Sequence, residues 1–177
     1  VSCTREYQSG VTTLQREVEL NRFLAEVEKR ALRIAEISVR DRDTALDLTQ
    51  NAMIKLAQKY VDRSSEEWTP LFYRILQNGI RDWHRRQAVR NRVMVWFGGR
   101  GTEENDYDPI AAAPDPAGRT PDELLQNREA MRQLEHGLRD LPARQREAFS
   151  LRIFEGMSVA ETAIAMGCSE GSVKTHH

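Results

Sequence analysis

The sequence predicts an all-α protein in which two small helical domains are joined by an acidic, flexible linker. Apolar residues recur at spacings of three and four along most of the chain, which is the period of an amphipathic helix. No alternating apolar pattern is long enough to indicate a strand. We therefore expect a polar tail at residues 1–19, a first domain at 20–97, the linker at 98–119, and a second domain with a helix-turn-helix at 120–177.

The composition is that of an ordinary protein able to bury a core, with 40% apolar and 30% charged residues. No apolar run approaches the roughly 20 residues that span a bilayer, and no signal-peptide pattern opens the chain, so we expect no membrane insertion. Two distant cysteines, Cys3 and Cys168, fit a reducing cytosol rather than a disulfide framework. The sequence has no zinc-ligand spacing, phosphate-binding loop or nucleophile–base motif, so it predicts no metal, no cofactor and no enzymatic activity.

The net charge of −1 hides a segregation of charge along the chain. Residues 71–100 contain seven arginines and one acid, whereas residues 101–127 contain seven acids and one base. Screening confines electrostatic attraction to about 10 Å at ordinary salt, so the local charge decides whether a segment binds phosphates. The arginine-rich segment is therefore a candidate nucleic-acid surface, and the acidic segment is typical of a solubilising tether.

Two apolar stripes predict two helices within residues 18–60, separated by a break near Val39. Asp43 is a plausible N-cap of the second helix, because an aspartate side chain accepts hydrogen bonds from free backbone amides. A polar loop over residues 62–69 leads to Pro70, which suits the start of a third helix. The apolar residues of that helix are expected to face the core and its arginines to face solvent.

The second domain begins with a strong helix signal at Thr120, an N-cap residue followed by proline and by a glutamate at the capping-box position. The helix that follows carries leucines and a methionine on one face. A shorter helix over residues 143–154 is expected to stop at Gly156, because glycine tolerates the left-handed backbone at a helix end.

The end of the chain predicts a helix-turn-helix. Ser158 caps one helix, and Gly167 ends it. Ser169 then caps the last helix, in which Val173 faces inward and polar residues remain outside. The last helix of such a motif enters the DNA major groove, so this domain is expected to read DNA. A helical hairpin without a ligand would share the capped helices but not the whole series of signals.

From about residue 18 to its end, the chain resembles the bacterial extracytoplasmic-function (ECF) sigma factors, the small two-domain initiation factors of RNA polymerase. The resemblance rests on Asp41-Arg-Asp-Thr-Ala-Leu-Asp-Leu-Thr-Gln-Asn, on Leu71-Phe-Tyr-Arg-Ile-Leu-Gln-Asn, and on Leu141-Pro-x-Arg-Gln-Arg-Glu with Glu155-Gly-x-Ser-x-x-Glu. It implies three partners, which are core RNA polymerase, promoter DNA and an anti-sigma factor. It also implies that the first domain binds polymerase and melts the minus-ten region, and that the second reads the minus-thirty-five element.

Individual positions carry these implied roles. The positions that match the family's polymerase-binding stretch are Asp47, Leu48, Gln50 and Asn51. In the melting helix, Asn78 matches a recurrent asparagine, and Arg85 and Arg86 match trailing basic residues. The chain departs from the family at Leu71, where tryptophan is frequent, and it stops at His177, where the recognition helix usually continues. We therefore expect the second domain to extend beyond the given sequence.

The residue types of the third helix suit single-stranded DNA, which is bound by cationic grooves together with groups that contact splayed bases. Arg81, Arg85 and Arg86 fall on its polar side and supply charge. Asn78 offers both a donor and an acceptor to a base edge. Trp68 is a candidate for stacking on a base, although packing in the core explains it equally well. A solvated arginine face without a ligand is the alternative for the whole helix.

The last helix offers base-reading and phosphate-binding groups. Lys174 and Thr175 are expected to face the groove, where lysine pairs with guanine acceptors and threonine contacts base edges or phosphate. The backbone amides of Gly171 and Ser172, at the start of the helix, suit a phosphate. His176 is a weaker DNA-binding candidate.

The main alternative is a response-regulator-type transcription factor. Its output domain also resembles Arg146-Glu-x-Phe, Gly156-x-Ser-x-x-Glu and Val173-Lys-Thr-His. Such proteins usually carry an alternating β/α receiver, whereas the first hundred residues here are predicted to be helical. A scaffold that binds only protein would share the helices but would not require the segregated arginines.

Overall fold

The computed structural model of the protein describes residues 2–96 and 121–176, and within these ranges the side chains of residues 14–93, 96 and 129–176. The linker predicted at residues 98–119 and the N-cap predicted at Thr120 lie outside the described residues. In the described ranges every regular element is helical, which confirms the predicted all-α class. The α-helices are α1 (Ser2–Val39), α2 (Arg42–Tyr60), α3 (Ser65–Trp96), α4 (Pro121–Asp140), α5 (Ala143–Phe149), α6 (Val159–Met166) and α7 (Glu170–His176). A π-helical turn, Ser150–Phe154, continues α5.

Helix α1 begins at Ser2, well before the helix that the apolar stripe predicts from about residue 18. Once a helix is nucleated, each further residue adds one backbone hydrogen bond, so extension costs little. A helix that is held by a packed stripe can therefore continue beyond that stripe. The apolar pattern marks the packed part of α1 and not its first residue.

The break between α1 and α2 is as predicted, but the predicted N-cap is wrong. Asp41, not Asp43, caps α2, because its backbone is extended (φ −144°, ψ 121°) and its carboxylate accepts from the Thr44 amide at 2.8 Å. Asp43 lies in the first turn of α2, where an acid is favoured by the helix dipole. Arg40, with φ 56°, reverses the chain between the two helices.

Helix α3 also begins earlier than predicted, at Ser65 rather than at Pro70. The carboxylate of Glu67 accepts from the Ser64 amide at 3.2 Å, which closes the start of the helix. Pro70 lies inside the helix, close to its start. The sequence analysis did not predict this first turn, because residues 62–69 are polar. The turn is stabilised by hydrogen bonds to backbone amides and not by an apolar stripe.

The two halves of the chain pack against each other. Helices α1, α2 and α3 form a three-helix unit, α6 lies on α3, and α4 contacts α1. Buried residues from both halves form one continuous cluster that includes Ile34, Leu56, Phe72, Leu151 and Met166. The independent folding of two separate domains stays a prediction, whereas their mutual packing is a feature that the sequence analysis did not foresee.

None of the described helices combines the length and the apolar character that crossing a bilayer would need.

Candidate nucleic-acid interface

The caps at the two ends of helix α6 have the geometry that the sequence predicted. The Ser158 hydroxyl accepts from the Glu161 amide at 3.2 Å, and the Glu161 carboxylate accepts from the Ser158 amide at 2.7 Å, so the capping box is complete. Gly167 ends α6 with φ 65°, and Gly156 turns the chain before α6 with φ 63°. Both glycines therefore adopt the left-handed backbone that L residues rarely occupy. These caps fix where α7 leaves the fold.

Helix α7 is anchored by one side chain and presents others to solvent. Val173 is fully buried, whereas Lys174 and Thr175 are exposed and His176 is half-buried. The Thr175 hydroxyl donates to the Gly171 carbonyl at 3.0 Å. Lys174 thus projects into solvent beside the anchored side of the helix, as a base-reading side chain must.

The expected phosphate site at the start of α7 needs one correction. The Ser172 amide donates to the Ser169 hydroxyl at 3.2 Å, so this amide is already capped and is not a free donor for phosphate. A serine N-cap satisfies amides two or three residues on, which explains the loss. Gly171 is exposed, and its role stays a prediction.

On helix α3, polar side chains form a strip along one side. Arg74, Asn78 and Arg85 are exposed, and Arg81 is about one-third exposed. The Arg85 guanidinium pairs with Asp82 at 2.7 Å. The Asn78 Oδ1 atom accepts from Arg81 at 2.6 Å, so these two side chains form one unit. Arg86 is exposed on the adjoining surface.

Arg81 also reaches the second half of the chain. Its guanidinium donates to the Met166 carbonyl, the last residue of α6, at 3.1 Å and lies 3.7 Å from the Glu147 carboxylate. Arg144 contacts the same two groups, Glu147 at 3.0 Å and the Met166 carbonyl at 3.1 Å. A candidate DNA-binding arginine is therefore held by the helix-turn-helix unit.

The proposed stacking of Trp68 on a base is wrong for this structure. Trp68 is 2% exposed, its indole donates to the Tyr60 carbonyl at 3.0 Å, and its ring lies 5.8 Å from the ring of Phe23. A buried indole needs a hydrogen-bond partner, and the end of α2 supplies one. Trp68 therefore packs between α1, α2 and α3.

Helix α2 displays the residues expected to bind polymerase. Asp47, Gln50 and Asn51 are exposed, and Leu48 is partly buried against α3, where a Cβ at residue 79 would lie 3.2 Å from Leu48 Cδ2. Sequence reasoning missed the neighbour Ile54, an apolar side chain that is 52% exposed on the same helix. Its spacing of seven from Asp47 and four from Gln50 was the available signal.

Sequence reasoning also missed three carboxylates that are buried between the two halves. Glu135, Glu147 and Glu155 have side chains at most 4% exposed, and each pairs with an arginine of the first half. Burial raises the pKa of Glu147, and the nearby Arg81 and Arg144 oppose that rise. Burial beside Glu155 likewise raises the pKa of the Tyr73 hydroxyl. Acids at inward helix positions were the available signal.

Among the described side chains, no group of three His, Cys, Asp or Glu residues is placed to hold a metal ion.

Comparison with known proteins matches both halves of the chain. Residues 131–177 match the family described as Sigma-70, region 4, a range that holds α5, α6 and α7. Over 141 residues the chain is 30% identical to the ECF RNA polymerase sigma factor SigX of Bacillus subtilis (strain 168). This alignment covers 77% of the chain. Both matches support the interpretation of the chain as similar to the ECF sigma factors. The chain spans 66% of the length of SigX, just under two thirds.

The two matches favour the sigma-factor interpretation of the helix-turn-helix over the response-regulator one. Both matches are to sigma factors and not to response-regulator-type factors. The structure agrees, because residues 2–96 form three helices and no β/α receiver. The range that matches region 4 ends in the helix that exposes Lys174 and Thr175.

Proposed function

We propose that this chain directs bacterial RNA polymerase to specific promoters as a sigma factor and assists promoter melting. The observation that carries this function is helix α7, which lies inside the matched sigma-70 region 4 and is held by a buried valine. Its outward side chains are a lysine and a threonine, which suit base edges. In this function the second half of the chain reads the minus-thirty-five element.

Melting of the minus-ten region falls to helix α3. Arg85 and Arg86 are exposed and supply charge for the backbone of a single strand. Asn78 contacts a base edge, and Arg81 beside it binds the adjoining phosphate. The aromatic stacking group is not Trp68, which is buried.

Polymerase binding falls to the exposed side of helix α2. Asp47, Gln50 and Asn51 offer hydrogen bonds there, and Ile54 adds an apolar contact. An exposed apolar side chain among polar ones is typical of a protein interface. An anti-sigma factor is a further partner, as the ECF family implies.

The experiment is co-purification with core RNA polymerase followed by transcription in vitro and mapping of start sites. The expected result is a stable complex and initiation at a shared promoter sequence. The variant E28Q changes an exposed residue of α1 that is assigned to neither candidate surface, and it should behave as the wild type does. No complex with core polymerase, or random initiation, would overturn the function.

A further inference from the structure

The last turns of helix α3 carry an apolar stripe that is open to solvent. Every described side chain from Ala88 to Trp96 is exposed, so no other described element covers this part of the helix. Val89, Val93 and Trp96 follow each other at spacings of four and three and therefore share one side of the helix. They are 56%, 50% and 87% exposed, and Trp96 is the most exposed large apolar side chain among the described residues. We call these three residues the α3 stripe.

The charges around the α3 stripe indicate an anionic partner. Residues 83–102 contain five arginines and no acid. At 3.6 residues per turn, Arg86 and Arg90 flank the stripe on one side and Arg92 flanks it on the other. All three arginines are exposed. A single nucleic-acid strand offers both kinds of contact at once, because its bases have flat apolar faces and its phosphates are negative. A duplex fits less well, since its base faces are already covered by stacking.

The α3 stripe also continues the polar strip of the same helix that is proposed to bind the melted strand. Asn78 and Trp96 lie 18 positions apart, which is five helical turns, so they are on the same side of α3 and roughly 27 Å apart. Arg85 lies between them on that side and is exposed. At 3.4 Å per nucleotide of a stacked strand, this distance corresponds to about eight nucleotides. One strand can therefore contact both Asn78 and Trp96.

We propose that Trp96 stacks on a base of single-stranded DNA and that Arg90 and Arg92 bind phosphates on either side of that base. This inference rests on the function proposed above and adds a second contact to the melted strand. Trp96 supplies the aromatic group that the buried Trp68 cannot supply. Stacking tolerates any base, because every base has a π-face. The α3 stripe therefore holds the strand, whereas Asn78 contacts a base edge.

The test is binding of the full chain to a thymidine oligonucleotide of about 12 nucleotides, which is longer than the roughly eight that separate Asn78 from Trp96. Binding is followed by the fluorescence anisotropy of a label on the oligonucleotide. W96A should weaken binding about tenfold, as expected for the loss of one stacked base, and W96F should retain most of the affinity because a phenyl ring still stacks. L14A is the matched control, because Leu14 is an apolar side chain of α1 that is 64% exposed.

A duplex of the same length separates stacking from charge. W96A should leave binding to the duplex unchanged, because the duplex bases are not available to the indole. R92A should weaken binding to both the strand and the duplex and reduce the salt dependence of each by about one phosphate contact. Circular dichroism checks that each variant remains helical.

Tryptophan fluorescence assigns the contact to residue 96. The chain has three tryptophans, of which Trp68 is 2% exposed and Trp83 is partly buried against the core. Trp96 is therefore the tryptophan that an added strand can reach. The oligonucleotide should quench its emission in the wild type. In W96F this quenching should disappear while most of the affinity remains, a result that a purely structural role of Trp96 would not give.

Three results would overturn the stacking site. One is no binding of the wild type to the oligonucleotide, and another is equal affinity of the wild type and W96A. The third is a loss in W96A of affinity for core polymerase without DNA, which would make the α3 stripe a protein contact.

Holoenzyme separates this inference from the proposed function. W96A should shorten the lifetime of the open promoter complex about tenfold, because one stacked base is lost. If the chain formed no complex with core polymerase and still bound the oligonucleotide through Trp96, the sigma function would fail and the stacking site would stand. If holoenzyme opened promoters equally well with W96A, the function would stand and the stacking site would fail.

Discussion

Arg30 of α1 donates through its Nε atom to the Glu155 carboxylate at 3.1 Å, across 125 positions of sequence. The Arg30 side chain is 51% exposed, whereas the Glu155 carboxylate is 1% exposed. The ordinary surface pair contributes almost nothing to stability, because water solvates both ions. Here the Glu155 carboxylate is hidden from water, and the ion pair with Arg30 compensates for the cost of burying its charge.

R30A is expected to destabilise the protein by about 2 kcal/mol, because it leaves a buried carboxylate without its partner. The measurement is urea unfolding followed by circular dichroism. The matched control R16A removes an exposed arginine whose partner Asp62 is also exposed, and it should cost less than about 0.5 kcal/mol. Equal losses for the two variants would show that Glu155 is hydrated in the folded protein.

The raised pKa of Glu147 predicts a pH dependence of stability. Burial disfavours its charged form, so the folded protein holds the proton more tightly than the unfolded chain does. Its contribution is therefore most favourable below the ordinary value of 4.5 and is lost as the pH rises through the higher folded value. The free energy of unfolding of the wild type minus that of E147Q should fall as the pH increases from 4 towards neutrality. A difference that rises over this range would mean that Arg81 and Arg144 outweigh burial.

The capping box of α6 predicts a local cost. S158A removes the hydroxyl that accepts from the Glu161 amide and should destabilise the protein by about 1 kcal/mol. S64A is an informative comparison. It removes the hydroxyl that donates to the Glu67 carboxylate, but the backbone amide of residue 64 can still donate a hydrogen bond to the same carboxylate. It should cost less than S158A in the same thermal or urea titration. A larger cost for S64A would contradict the capping assignment.

Local signals in the sequence predicted much of this structure, and interactions between distant residues account for what they missed. Ser158, Gly156 and Gly167 act on their immediate neighbours, so their roles follow from spacing alone. The partners of Glu147 and Glu155 lie in the other half of the chain, and no local pattern contains that information. Whether a single side chain is buried also depends on residues that are distant in the sequence.

Trp68 and Ile54 show this for individual burial. Trp68 stands in a polar segment and is buried because the end of α2 and Phe23 of α1 converge on it. Ile54 continues an apolar stripe and is nevertheless exposed, because α2 is covered on only part of its circumference. Helical period gives the direction of a side chain relative to its neighbours, and the packing of other helices decides whether that direction is covered.

The polymerase-binding surface proposed on α2 predicts a specific loss. The double variant D47A/Q50A should weaken binding to core polymerase without changing the helical content, because both side chains are exposed. I54S tests the added apolar contact and should weaken binding by about tenfold, a loss of roughly 1.4 kcal/mol. K59A is the control, because Lys59 is exposed in the last turn of the same helix. Unchanged affinity for D47A/Q50A would remove α2 from the polymerase interface.

The two candidate DNA surfaces predict different kinds of loss. R86A removes a charge that carries no sequence information, so it should weaken binding to all sequences and reduce the salt dependence by about one phosphate contact. K174A removes the exposed side chain that we propose reads base edges, so it should cost about 1–3 kcal/mol on a matched minus-thirty-five element and much less on a mismatched one. The comparison is made with holoenzyme on both duplexes across a salt series. Equal losses for K174A on the two duplexes would make Lys174 a phosphate contact, and base reading would then have to reside in other side chains of α7 such as Thr175 and His176.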